Sequence, residues 1–327
     1  MRKSLLLLLI IALIDLGAGS AQAQQTGKIR RIGFLSGGFP GSSRGIKLFQ
    51  REFRELGYVE GKNIAFEYRF AEDRPDRYPA LADDLVRLQV DVIVAGGGSD
   101  TRAAKNATRT IPIIFLEEVS DPVASGLVAS LAQPGGNITG FTTIAAVLAG
   151  KRLELLKETI PKLSRVAVLW NPQVSDNAPQ WKESQLAARQ LGLQLHSMEV
   201  SGAGQYESAF KEAVKARSAA LAVTRHRLSI AYQKRIIELA AKNRLPAIYY
   251  RGDFVDSGGL MSYGADEVEP FKRAASMVDK ILKGTKPADI PVEQPKKFEL
   301  IINLKAAKQI GLTIPPNVLV RADRVIK

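Results

Sequence analysis

Little in this 327-residue sequence is equipped to make or break bonds. There is no cysteine, which excludes disulfides, thiolate metal sites and a cysteine nucleophile. The two histidines, His196 and His226, stand in no nucleophile–base–acid arrangement and in no metal-ligand spacing. No catalytic residue, metal or cofactor is therefore assigned. What remains are short polar and glycine-rich clusters suited to holding a small molecule. They are Ser36-Gly37-Gly38-Phe39, Gly96-Gly97-Gly98-Ser99-Asp100-Thr101, Glu117 to Asp121, Thr142-Thr143, Asn171 with Ser175, Asp176 and Asn177, Thr224-Arg225-His226, and Tyr249-Tyr250. The glycine run lacks the G-x-G-x-x-G spacing of a dinucleotide loop. Its backbone N–H groups, with Gly98, Ser99 and Thr101, could instead meet a ligand carboxylate at a helix start, or the segment could be a simple strand–helix turn. Asp121 could accept from a ligand ammonium or cap the helix that Pro122 begins. Phe39, Trp170 and Tyr250 could sandwich an apolar ligand or pack on their own side of a cleft.

Each cluster follows a short apolar run, so the elements that position them are strands. The alternation of strand and helix patterns implies parallel sheets flanked by helices, an α/β protein. Expected strands include Arg31–Ser36, Asn63–Phe70, Asp91–Ala95, Ile111–Phe115 and Ile138–Phe141. A second set runs Arg165–Trp170, Leu193–Val200, Ala219–Thr224 and Leu245–Tyr250. Expected helices include Pro122–Leu131, Ser229–Asn243 and Glu267–Leu282. The phrase at Arg31-Ile32-Gly33-Phe34-Leu35 is repeated at Arg165-Val166-Ala167-Val168-Leu169, and the same offset carries Ile111-Pro112 onto Leu245-Pro246. Two similar lobes leave a cleft between them, with ligands expected at the carboxyl ends of strands. The first lobe is expected to comprise 24–143 plus 253–285, taking back the strand at 258–264. The second comprises 144–252 plus 286–327. Crossings are expected near Thr142–Ala146, Tyr250–Asp253 and Ala288–Val292, forming a multi-segment hinge.

The first residues read differently. Arg2 and Lys3 precede the apolar run Leu5–Leu16, and Ala21-Gln22-Ala23 offers small residues for cleavage, the layout of a secretory signal peptide over residues 1–23. The absence of cysteine excludes lipid attachment through an N-terminal cysteine after cleavage, so a soluble periplasmic protein is expected. The formal charge of +13 comes from basic residues interleaved with acids. That pattern suits a solvated basic surface better than a nucleic-acid site.

Several phrases resemble the exported solute-binding proteins of ABC importers, in particular the subgroup binding tryptophan and related aromatic amino acids. They are Leu56-Gly57-Tyr58-Val59-Glu60-Gly61-Lys62-Asn63, Asp121-Pro122-Val123 with Pro134-Gly135-Gly136-Asn137-Ile138-Thr139-Gly140, Val168-Leu169-Trp170-Asn171-Pro172, and Gly258-Gly259-Leu260-Met261-Ser262-Tyr263-Gly264. The resemblance implies a type I periplasmic-binding-protein fold, two Rossmann-like lobes closing on a small carboxylate-bearing ligand such as an amino acid. It further implies delivery of that ligand by a monomer to an inner-membrane permease. The strand-end residues that would then line the cleft are Ser36, Gly37, Phe39, Gly98, Ser99, Thr101, Asp121, Thr142, Asn171, Ser175, Asn177, Thr224, Arg225 and Tyr250. Thr224-Arg225-His226 departs from the acidic or small polar residues implied there, and its two cation-capable groups favour a ligand with an extra anionic group. A ligand sensor feeding a membrane receptor, or a periplasmic enzyme, would be the alternatives.

Overall fold

The computed structural model describes residues 29–327 except 39, 41–43, 73, 119–120, 175–176 and 267. The leader expected at 1–23 and the candidate residues Phe39 and Ser175 lie outside the described residues.

Apolar runs of β-branched and aromatic residues, buried on both faces in the central strands, form two separate sheets, as expected where helices cover both sides. The first contains β1 (Arg30–Ser36), β2 (Ile64–Phe70), β3 (Val92–Ala95), β4 (Ile113–Glu118) and β5 (Ile138–Thr142), ordered β2-β1-β3-β4-β5 and wholly parallel. The second contains β6 (Arg165–Trp170), β7 (Gln194–Glu199), β8 (Ala220–Val223), β9 (Ala247–Tyr249), β10 (Met261–Ala265), β11 (Phe298–Asn303) and β12 (Arg324–Ile326). Its order is β12-β11-β10-β9-β8-β6-β7, and only the β10–β11 pair is antiparallel. Leaving aside β11 and β12, the two orders are the same. A Cβ at Gly140 in β5 would lie 2.0 Å from the Phe115 carbonyl oxygen, and one at Gly264 in β10 would lie 2.0 Å from that of Tyr250. Both lobes therefore need a glycine where their fifth strand presses onto the fourth.

Helices α1 (Arg44–Glu55), α2 (Tyr78–Arg87) and α3 (Ser99–Ala107) belong to the first lobe. In the second, α4 (Ala145–Thr159) and α5 (Asn177–Leu191) cover one face, while α6 (Tyr206–Lys215), α7 (Arg227–Ala231), α8 (Gln233–Lys242) and α9 (Asp253–Asp256) lie on the other side or at strand ends. The return helix α10 (Glu269–Leu282) goes back to the first lobe. It buries Ala274, Ala275, Met277, Val278 and Ile281 against Ile32, Phe34, Phe49 and Phe53. Fully burying one such large side chain contributes about 1.5–3 kcal/mol. Tyr58 adds a hydrogen bond to Asp279 Oδ1 at 2.9 Å, and burial followed by that carboxylate pushes its phenol up to about 12.

Several expectations need correction. The strand at 258–264 is β10, held in the second sheet between β9 and β11, so only α10 of that stretch returns to the first lobe. The second crossing accordingly follows Ala265 rather than Tyr250–Asp253. The third comes after residues 290–293, which run along the open edge of β5 before the chain enters β11. Residues 122–131 form turns instead of a helix. Gly126 adopts φ +69° after one turn closed by Leu127 N–H donating to the Pro122 carbonyl, and this ends the coil. The helix expected at Ser229–Asn243 is broken at Tyr232 into α7 and α8. Helix α4 and strand β12 were not expected.

Candidate functional site

The carboxyl ends of both sheets face each other across the inter-lobe cleft. On the first side, β4 ends in Glu117-Glu118 and β5 in Thr142. The β3–α3 loop packs over them: a Cβ at Gly97 (φ +140°) would sit 2.4 Å from the Glu117 carbonyl oxygen. The loop N–H groups already have partners inside the lobe. Gly97 N–H donates to Asp100 Oδ1 at 2.8 Å, and Gly98 N–H donates to the fully buried Glu118 at 2.9 Å. The loop is thus an acid-filled turn and not a carboxylate cradle. Ser99 is exposed, whereas Thr101 is fully buried with no hydrogen bond to its hydroxyl among the described residues. Asp100 is fully buried, and that burial, offset by Arg227, pushes its carboxyl up to about 6.

On the second side, β8 runs into Thr224-Arg225-His226-Arg227. Helix α5 supports this stretch through two buried amides. Gln180 Oε1 accepts from Arg225 N–H at 2.9 Å, and its Nε2 donates to the Arg225 carbonyl at 3.0 Å. Asn177 Nδ2 donates to the same carbonyl at 3.0 Å, while its Oδ1 accepts from the Thr224 hydroxyl at 2.9 Å and from Asn171 N–H at 3.0 Å. Asn177 and Thr224 are therefore spent inside the lobe, holding Arg225 rather than facing a ligand. Asn171 Oδ1 likewise accepts from Gln173 N–H and from the Ser201 hydroxyl. His226 caps α7, its Nδ1 accepting from Ser229 N–H at 3.3 Å, and burial pushes its pKa down to about 4. It is neutral near pH 7.

The two sides meet through Arg225. Its Nη2 lies 2.7 Å from Glu117 Oε2, and its guanidinium stands over the Tyr250 ring at 5.8 Å. Beside this pair, toward the hinge, is a cavity open to solvent and walled by both lobes. Thr142, Thr143 and Arg152 bring polar atoms to it, and Leu148, Pro270 and Pro295 bring apolar surface. Arg152 is a buried arginine of α4 whose Nε donates to the Tyr263 carbonyl at 2.9 Å.

Of the residues expected from sequence, Thr142, Arg225 and Tyr250 converge on this cavity. The Thr142 and Thr143 hydroxyls also donate to the Glu118 carbonyl. Ser36 and Gly37 lie at the end of β1, where Ser36 Oγ accepts from Gly38 N–H. Asp121 is exposed and caps its own turn, accepting from Val123 and Ala124 N–H at 2.8 and 3.2 Å. Trp170 stacks on Trp181 at 5.3 Å and donates to Ser197, so it packs on its own lobe. Glu117 was within a stretch flagged by the strand-end rule but was not singled out. Arg152 was missed together with its helix, although Leu148, Arg152, Leu155 and Thr159 recur at helical spacing.

A family model described as ABC transporter substrate binding protein matches residues 39–326. The chain belongs to the ABC transporter substrate-binding protein family. A curated relative, the tyrosine-binding protein of Clostridioides difficile (strain R20291), is 28% identical over 273 residues, 84% of this chain and 78% of the relative. An ABC domain from Streptococcus pneumonia in complex with L-Trp superposes with a TM-score of 0.81 at 24% identity, covering 91% of this chain and 99% of that one. The ligand-free, open structure of a substrate-binding protein with adhesive properties from Clostridium difficile reaches 0.67 at 25% identity, with 91% and 100% covered. This substrate-binding protein is thus a two-lobed α/β molecule of the type I periplasmic-binding class.

Proposed function

We propose that this substrate-binding protein works outside the cytoplasm as a monomer, closing its lobes on a zwitterionic α-amino acid and passing it to a membrane permease without chemical change. The moving units are β1–β5 with α1–α3 and α10, and the second sheet with its helices. The observation that carries the reading is the Arg225–Glu117 pair, 2.7 Å apart, with opposite charges on the two cleft walls beside the cavity. An amino acid brings both complementary charges on adjacent atoms. Its carboxylate replaces Glu117 on Arg225 and its ammonium replaces Arg225 on Glu117, so closure leaves no desolvated charge unpaired. The amino-acid ligands named for the tyrosine-binding relative and the L-Trp complex support this class. His226 is neutral and Arg225 is matched by Glu117, so an additional anionic group on the ligand would have Arg152 as its partner on the cavity wall. Export rests on the N-terminal layout, and among the described residues no helix is long and apolar enough to cross a membrane.

The test is a thermal-shift screen with calorimetry, using amino acids, their decarboxylated and deaminated analogues, dicarboxylates and sugars. A ligand at a hundred times its Kd stabilises the folded state by about 2.7 kcal/mol. Saturable stabilisation by one or more amino acids, lost in both analogues, is expected. Stabilisation by a sugar or dicarboxylate with none by amino acids would overturn the reading.

A further inference from the structure

Two residues beyond Arg225, the second lobe makes another contact with the first, at a separate place. Arg227, the first residue of α7, lies flat on Gly37. A Cβ there would sit 1.7 Å from Nη1, 1.8 Å from Cζ and 2.1 Å from Nη2, so the guanidinium occupies space that only glycine leaves open. Its Cζ is 5.8 Å from the centre of the Tyr78 ring, and Tyr78 is itself buried in the first-lobe core. Its Nη2 is 3.6 Å from Asp100 Oδ2. Asp100 is fully buried and aimed, because its other oxygen is held by the Gly97 and Thr101 N–H groups. Oδ2 accepts no hydrogen bond among the described residues. A bare glycine, an aromatic face and an aimed carboxylate, from three elements of one lobe, thus make a seat shaped for a planar cation. The arginine that fills it comes from the other lobe and keeps 45% of its side chain exposed, at the mouth of the cleft. None of Gly37, Tyr78, Asp100 or Arg227 lines the cavity assigned to the solute.

We propose that Arg227 is a positioning residue for solute binding, a latch that seats on Gly37, Tyr78 and Asp100 and sets the closed fraction of the protein without touching the ligand. Apparent affinity scales with the fraction of binding-competent protein, so the latch acts equally on every solute, while Arg225 selects among them. This rests on the lobes opening and closing, as in the proposed function, but not on the identity of the solute.

The experiment exploits the absence of cysteine. Asp76→Cys and Lys234→Cys, both at exposed positions near the mouth on opposite lobes, take spin labels with no background. Inter-label distances are measured by pulsed electron resonance in solute-free protein. The parent is expected to show a short-distance, closed population. Arg227→Ala should lower the closed-to-open ratio about 2- to 30-fold, the range of a cation–π contact from exposed to desolvated settings. Gly37→Ala should do the same while leaving Arg227 in place, since it only displaces the mobile end of that side chain. Arg227→Lys, which keeps the charge without the plane, should restore part of the ratio. An unchanged distance distribution in Arg227→Ala and Gly37→Ala, or a parent with no closed population, overturns the latch. Neither result depends on the solute screen, so a failed amino-acid panel with shifted distances would remove the solute class and leave the latch standing.

Discussion

The two lobes share one strand order and differ most at the end of the third strand. In the first lobe, β3 runs into three glycines and a buried aspartate that binds its own loop. In the second, the equivalent β8 runs into Thr224-Arg225-His226-Arg227, supported from below by Asn177 and Gln180. One wall of the cleft is acidic, with glycines beside its carboxylates. The other is basic and braced. Opposite charges thus meet across the cleft, Arg225 against Glu117 from the end of β4 and Arg227 against Asp100 from the β3–α3 side. The chemistry of this protein lies in where the repeat was broken.

The comparison can be broken most severely at Arg225. Arg225→Ala removes the cation while leaving Glu117, and we expect a loss of about 2–5 kcal/mol of affinity for amino acids by calorimetry. The bracing comes next. Gln180→Ala removes the acceptor of the buried Arg225 N–H and Asn177→Ala that of the buried Asn171 N–H, each costing about 1–3 kcal/mol of stability in urea titration and weakening solute binding as Arg225 loses its aim.

These two effects show what was legible in the sequence. The strand ends were, because each apolar run stops at a polar or glycine cluster, and so Arg225, Thr142 and Tyr250 could be named. The partner of Arg225 was not, since Glu117 reaches it only when separate lobes meet. Nor was the role of Asn177: an amide on a helix gives no sign of whether it faces solute or a neighbouring backbone. Helix α4 escaped because it is buried on several sides, with Leu153, Leu155 and Leu156 all in the core, so no clean polar face marks its period. Asp121-Pro122 signals a helix start and a capped turn equally well, and Gly126 decides between them only through its backbone.

The third test sharpens the contrast through pH. Burial holds Asp100 up near 6 from an ordinary 3.8, and holds His226 down near 4 from 6.5. On acidification from 6.5 toward 4, the unfolded chain takes up a proton at His226 before the folded protein does, which lowers stability. Between about 6 and 3.8 the folded protein takes up a proton at Asp100 first, which raises it. The two lobes therefore oppose each other over one window. In Asp100→Asn the melting temperature should fall more steeply from pH 6.5 to 4 than in the parent, and in His226→Gln it should fall less or rise. Parallel profiles in all three proteins would count against this assignment. The smallest effect is expected at Asp121→Ala, which removes the turn cap for about 0.5–1 kcal/mol of stability and leaves solute affinity unchanged.

The strap at 290–293 has a consequence of another kind. Ile290 and Glu293 carbonyls accept from the Thr139 hydroxyl and Thr142 N–H, Glu293 N–H donates to the Gly140 carbonyl, and Arg273 grips the Glu293 side chain at 2.6 Å. Strand β5 would otherwise present a bare edge, a template on which a foreign chain can polymerise. Here the protein's own backbone fills that edge. The connection that links the lobes thus also shields the β5 edge, and a nick in it would be expected to open that edge to pairing with another chain.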